Sequence, residues 1–170
     1  AHAMDAYLGK KLGLYGYMSE NVKSDKVFAS AKELLTAFEK QDGKETAFYA
    51  ASKNFDGAYK KAGNGYWSSA PEMFARAFAC YVRDKLGDRK SDYLVGHSEA
   101  ASDGVSVAIP VGKEREVIDK KFDAFIADMI KLGYFSKEKS STENPTECDD
   151  SPEIVDVIFY EDNGGQLMFC

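Results

Sequence analysis

The sequence predicts a helix-rich α+β domain over residues 1–135, an acidic linker over 136–153, and a short β-hairpin or the start of a further module over 154–170. Three observations carry that reading. Apolar residues recur at helical spacing in segments 27–40, 69–86 and 113–132. Short β-rich runs at 91–96, 105–109, 154–160 and 166–169 supply the strands. Between these two sets, residues 136–152 are rich in Ser, Glu, Asp, Thr and Pro, a composition that cannot build a core.

The first thirteen residues read as a helix stopped by Gly13. Ala, Met and Leu favour the helix, and Lys10 and Lys11 sit where the helix dipole attracts cations. No capping residue precedes His2, so this helix is expected to have lost its beginning. In 27–40, Phe28, Ala31, Leu34, Leu35 and Phe38 fall on one face, and Gln41-Asp42-Gly43 reads as the stop. A shorter helix is predicted over 45–52 with Phe48 and Tyr49 inward, before a Lys-rich loop ending Gly63-Asn64-Gly65. Ser69-Ala70-Pro71-Glu72 matches a capping box with Pro in the first turn, and Met73, Phe74, Ala77, Phe78, Tyr81 and Val82 continue as an apolar face to Leu86-Gly87. The helix over 113–132 is expected to bury Val117, Ile118, Phe122, Phe125, Ile126, Met129 and Ile130. Asp162-Asn163-Gly164-Gly165 is the hairpin signal near the end of the chain.

Composition narrows the function. At 44% hydrophobic and 29% charged residues, the chain has the balance of a folded domain. No apolar run approaches the roughly 18–20 residues that cross a bilayer, and no secretory or transit signal is read, so a cytoplasmic protein without a membrane partner is expected. Cys80, Cys148 and Cys170 are odd in number and far apart, which is neither a disulfide framework nor a cysteine zinc site and suits a reducing compartment. The net charge of −6 is unevenly placed. Residues 136–170 hold nine acids and two lysines, a charge of −7, while 1–135 come to +1. A nucleic-acid-binding body would show a basic excess, so no direct nucleic-acid contact is expected. The acidic stretch reads as solvated linker, with a basic partner as the other reading.

Chemistry has few places to reside. His2 and His97 are the two histidines, no Ser-His-Asp arrangement can be placed, and no Gly-rich phosphate loop is present. Peptidase zinc sites use two His one helical turn apart, a Glu after the first His as general base, and a third protein ligand from elsewhere, leaving one position for water. His2 could be the second His of such a pair, with Glu72 as the third ligand; the first His and the general-base Glu would lie just before Ala1. Two plainer readings stay open: Ala-His-Ala as an expression scar, and Glu72 as the capping-box carboxylate bonded to the Ser69 amide. Arg76, one turn after Glu72, is expected to form a surface pair of small value, and His97 reads as a loop residue.

The block Tyr66-Trp67-Ser68-Ser69-Ala70-Pro71-Glu72-Met73-Phe74-Ala75-Arg76-Ala77-Phe78, followed by Tyr81-Val82 and Asp92-Tyr93-Leu94-Val95, resembles the signature of the large polyvalent protein-associated domain, type one. His2-Ala3-Met4-Asp5-Ala6-Tyr7-Leu8-Gly9 resembles that family's stretch directly after its His-Glu-x-x-His motif, and Pro110-Val111-Gly112-Lys113-Glu114-Arg115 with Phe122-Asp123 is similar to its closing helix. The resemblance covers about residues 1–133. It implies a zincin-like fold in which the chain opens part-way through the metal motif. It also implies a home in large multidomain proteins of phages and conjugative elements, delivered into a bacterial host with the invading DNA. Carried over, His2 becomes the second metal histidine and Glu72 the third zinc ligand. Asp5 could stand behind His2, Tyr66 could touch substrate or serve, as the more favoured reading, as a structural aromatic, and Trp67 anchors the core ahead of the helix. The departures are the missing first His and general base, Ala79 where the family often has Glu, and the acidic linker and hairpin.

Two functions follow as expectations. One is a zinc metallopeptidase-related domain, inactive in the chain as it stands because no general base is supplied, acting in its parent on a protein or peptide substrate. The other is a non-catalytic module that keeps the scaffold to pack against other domains of a larger polyprotein.

Overall fold

The chain is described here by a computed structural model covering residues 1–58, 65–89, 91 and 108–135, together with the backbone of 159–161 and 167–169. Five α-helices and two small two-stranded sheets lie within these residues. Helix α1 spans His2–Lys11, and a 3-10 turn Ser19–Asn21 follows it. Helices α2 (Ala29–Glu39), α3 (Ala47–Ala58), α4 (Ala70–Leu86) and α5 (Gly112–Lys131) form the rest of the body. The observed architecture is helix-rich α+β, as the periodicity predicts.

Helix α2 buries Ala31, Leu34, Leu35 and Phe38 along one stripe and packs along α5. Phe28 stands just outside it as an extended N-cap and stacks on Phe125 at 5.6 Å. Ser30 Oγ donates to Asp128 Oδ2 at 2.7 Å, which fixes the sliding position of α2 on α5. Gln41-Asp42-Gly43 does more than stop α2. Strand β1 (Lys40–Gln41) pairs antiparallel with β2 (Lys44–Glu45). Asp42 (φ 49°) and Gly43 (φ 75°) make the tight turn, since an Asp-Gly pair accepts the positive φ that such hairpins require.

Helix α3 begins later than the predicted 45–52 and runs beyond it to Ala58, and its first turn is held by side chains from outside the helix. Thr46 Oγ1 donates to the Phe38 carbonyl and accepts from the Tyr49 amide at 3.1 Å. The Glu114 carboxylate, on α5, accepts from the Ala47 amide at 2.7 Å and the Phe48 amide at 3.2 Å. Two orphan amides of the α3 first turn are thus met by an acid from another helix.

Helix α4 buries Met73, Phe74, Ala77, Phe78, Tyr81 and Val82, and Gly87 (φ 58°) closes it. Around Phe122 of α5 the core is aromatic. Its ring lies 5.0 Å from Tyr81, 5.5 Å from Phe78, 5.7 Å from Phe74 and 6.0 Å from Phe38, mostly at tilted or edge-on angles that suit the ring quadrupoles. Two residues expected inward on α5 are not. Val117 and Ile130 are exposed, whereas Ile118, Phe122, Phe125, Ile126 and Met129 are buried. The two flank the buried stripe on its opposite sides, each about 100° round the helix from a buried neighbour, and stay exposed among the described residues.

Helix α1 buries Met4 and Leu8 against α4. Its Gly9 lies directly beneath the Gly16 carbonyl, so close that a Cβ there would overlap the oxygen. Leu14 N–H donates to Gly9 O at 2.8 Å and Met18 N–H to Asp5 O at 3.2 Å, so the loop after α1 folds back onto the helix.

Of the strands predicted over 91–96 and 105–109, residues 92–107 lie outside the described residues; Ala108 and Ile109 are buried in irregular backbone. The linker over 136–153 also lies outside them. Near the end, β3 (Phe159–Glu161) and β4 (Leu167–Phe169) pair antiparallel, Tyr160 opposite Met168. No helix among the described residues is long and apolar enough to cross a membrane.

Candidate functional site

Ser69 occupies the N-cap position of α4, with Pro71 in the first turn, as predicted. The capping box does not form. Ser69 makes no side-chain cap bond, and its hydroxyl donates to Tyr66 O at 2.7 Å. Its amide donates to the same carbonyl at 3.2 Å, so it has no use for Glu72. The Glu72 carboxylate is drawn elsewhere: its Oε1 lies 3.3 Å from His2 Nε2. The first turns of α1 and α4 are therefore brought together at these two residues.

The surroundings fix this meeting. Burial, then the neighbouring Glu72 carboxylate, pushes the Tyr66 phenol up. The Tyr17 ring sits 5.8 Å from the His2 ring, tilted by 53°. His2 Nδ1 is shut off from solvent and meets no hydrogen-bond partner among the described residues.

Arg76 corrects its expected role as a surface pair. Its guanidinium lies in a half-buried slot between the Phe48 and Trp67 rings, 5.3 Å from each. It donates to the Trp67 and Ala108 carbonyls, to Ser52 Oγ at 3.3 Å and to Glu72 O at 3.2 Å. Burial pushes Arg76 down to about 10, against the opposing pull of Glu72 and Asp56. The loop before α4 is held from its other side by Asp56, which accepts from the Trp67 amide at 2.6 Å and the Ser68 amide at 3.0 Å. Trp67 packs on Phe55 at 5.2 Å, an anchor ahead of the helix as expected.

Asp5, one turn from His2, is buried and spends its carboxylate on Ser19: Oδ1 accepts from the amide at 2.9 Å and Oδ2 from the hydroxyl at 2.6 Å. Burial pushes its carboxyl up, and the Ser19 bonds and the charge of His2 pull it back. Asp5 reaches His2 by charge and holds the loop that carries Tyr17.

The donor chemistry can be tested against zinc. Two ligands at roughly 2.0–2.1 Å from one tetrahedral zinc stand about 3.3–3.4 Å apart. The His2–Glu72 separation of 3.3 Å fits two corners of such a site, and equally fits a direct ion pair. Among the described residues no group of three His, Cys, Asp or Glu side chains could hold a metal, so the pair is not completed within them. His97 lies outside the described residues. Tyr17, Ser19 and Asp56 had no signature in the sequence, because each acts through a contact that only the folded chain creates.

Residues 58–132 match the family model of large polyvalent protein-associated domain 1. The matched segment contains Tyr66, α4 with Glu72 and Arg76, and the whole of α5; His2 and Asp5 lie before it. No curated protein matches the chain. No solved structure matches it either.

Proposed function

We propose, taking residues 58–132 as a large polyvalent protein-associated domain 1, that this chain carries part of a zinc-peptidase-like site of a phage or mobile-element polyvalent protein acting in the bacterial cytoplasm. The observation that carries the reading is the 3.3 Å approach of His2 Nε2 to Glu72 Oε1 from two different helices. His2 and Glu72 would hold the metal; a first His and a general-base Glu would come from a His-Glu-x-x-His motif that His2 ends. Bound zinc would supply an activated water for attack on a peptide carbonyl.

The residues around the pair support that arrangement. Tyr66 lies close enough to the Glu72 carboxylate to feel its charge. Arg76 fixes the first turn of α4 by bonding Glu72 O and Trp67 O together. Asp5 holds the Tyr17 loop over His2 through Ser19. Tyr66, 45% exposed, would be the residue to meet a protein or peptide substrate, unless it serves only as a structural aromatic. Residues 1–170 alone are expected not to hydrolyse peptides, because two protein ligands hold zinc weakly and no general base accompanies them.

The second reading is a non-catalytic interaction module on the same scaffold, packed against other domains of a polyprotein. It is favoured by the incomplete donor set among the described residues. Zinc content separates the two. The protein is extended upstream through the whole motif and compared with the same protein carrying Glu72→Ala. About one zinc per chain, lost in the variant, is the expected result. No zinc in either protein would remove the peptidase reading and leave the module.

A further inference from the structure

The point where the chain leaves the helical body is sharply fixed. Gly133 (φ 75°) turns the backbone off the end of α5, its N–H donating to Ile130 O and the Tyr134 N–H to Met129 O, each at 3.0 Å. The Tyr134 ring lies 6.2 Å from that of Phe28. Its carbonyl accepts from the Tyr7 hydroxyl at 2.7 Å, so the exit at Phe135 is fastened to the outer side of α1. That side is basic. Lys11 Nζ stands 5.6 Å over the same Tyr7 ring, and Lys10 and Lys11 make the last turn of α1. Lys26 reaches in from the following loop to donate to Gly13 O at 2.8 Å. All three lysines are exposed. The one acid of α1, Asp5, is buried and bonded to Ser19. Among the described residues neither Lys10 nor Lys26 forms an ion pair, although Asp25 is next to Lys26 in the chain.

We propose that residues 143–153 of this same chain dock on Lys10, Lys11 and Lys26 at the end of α1. That segment holds Glu143, Glu147, Asp149, Asp150 and Glu153 and no base, so its charge is complementary to the three lysines. Its reach is sufficient. The residues from Ser136 to Thr142 extend to about 23 Å at about 3.3 Å each, whereas the whole of α1 is about 15 Å long. Exposed ion pairs are weak one at a time. A short tether, however, holds the acids near the lysines at an effective concentration on the order of millimolar, which lets several weak pairs act together. A second set of lysines, Lys32, Lys40 and Lys121, lines a cleft between α2 and α5, but Glu33 is paired with Lys121 there and Asp42 shares the lining. The docked segment braces α1 at the end opposite His2, and it needs no metal at His2.

The test uses the full 170-residue chain and its own Cys148, which lies within the acidic segment. A nitroxide is attached there in Cys170→Ser, the Cys80 thiol being buried. Amide NMR signals of Tyr7, Lys10, Lys11 and Lys26 are expected to lose most of their intensity, and those of Lys32, Lys40 and Lys121 little. Broadening centred on the second set, or spread evenly over the surface, overturns the proposal. Raising salt from about 0.05 to about 0.5 M is expected to restore the signals, because it shortens the screening length severalfold; broadening indifferent to salt overturns it. The double variant Lys10→Glu, Lys11→Glu is expected to lose the broadening while keeping its denaturation midpoint. Glu143→Gln, Glu147→Gln, Asp149→Asn and Asp150→Asn together, which leave the helical body untouched, are expected to lose it too. Broadening retained in that fourfold variant overturns the proposal. Mixing spin-labelled chain with isotope-enriched, unlabelled chain is expected to leave the enriched signals sharp. Equal broadening in the mixture would put a second copy's segment on the lysines and overturn docking within one chain.

Discussion

His2 Nε2 lies 3.3 Å from Glu72 Oε1, joining the first turn of the first helix to the first turn of the fourth. The pair does not act as a strut. His2 is 43% and Glu72 20% exposed, and an ion pair this open contributes at most about 1 kcal/mol. Glu72→Gln is therefore expected to leave the denaturation midpoint nearly unchanged. A loss above about 2 kcal/mol would make the pair a structural element and weaken its reading as a ligand site.

Arg76 has the opposite balance. Its guanidinium serves the Trp67 and Ala108 carbonyls and lies between two rings. Arg76→Ala is expected to cost about 2–4 kcal/mol in denaturant unfolding, through the carbonyls left unpaired and the stacking lost. Arg76→Lys should recover only part of this, because an ammonium cannot span both carbonyls and stack on both rings. Full recovery by Lys would reduce the role of Arg76 to its charge.

Gly9→Ala reverses the usual sign of a helix substitution. Alanine gains about 1 kcal/mol of propensity in a helix interior. Here the added methyl overlaps the Gly16 carbonyl, a backbone atom with little room to move. A net loss on the order of 1–3 kcal/mol is expected by thermal unfolding. A gain in stability would show that the loop does not close over α1.

The buried Asp5 carboxylate gives a pH-dependent contrast. Its carboxyl is pushed above the unfolded 3.8 by burial, so this group's contribution is greatest below that value and declines as pH rises through the folded one. Asp5→Asn can still accept from the Ser19 amide and is expected to flatten that decline at little cost near neutrality. Asp5→Ala leaves the buried Ser19 amide and hydroxyl unmet and should cost about 2–3 kcal/mol. Equal stabilities of the Asn and Ala variants at neutral pH would sink this account.

The helical body was legible in the sequence because apolar spacing alone decides which side of α2 and α4 is buried. Ser69 was legible as the α4 N-cap for a local reason, the Pro71 that follows it. Glu72 was legible as a candidate but its partner was not settled, because a cap on Ser69 and a contact with another helix demand the same residue and only the arrival of α1 brings His2 to it. Arg76 could not be read, since the carbonyls it serves sit in a loop and in residue 108. Val117 and Ile130 were misplaced because periodicity shows a stripe but not how much of it a neighbour covers. The hairpin at Lys40–Glu45 had its Asp-Gly signal in plain view, between strands too short to register as strands.

Glu114 has a bearing on synthesis. The acid that completes the first turn of α3 arrives 67 residues later in the chain than the Ala47 amide it receives. Phe122 and Phe125, the rings at the centre of the core, are later still. A nascent chain that has cleared the ribosome only as far as α4 holds four helices that can cover one another in part but leave open the faces that α5 closes. The body is sealed by the last of the described helices, so its completion during translation waits on the emergence of α5.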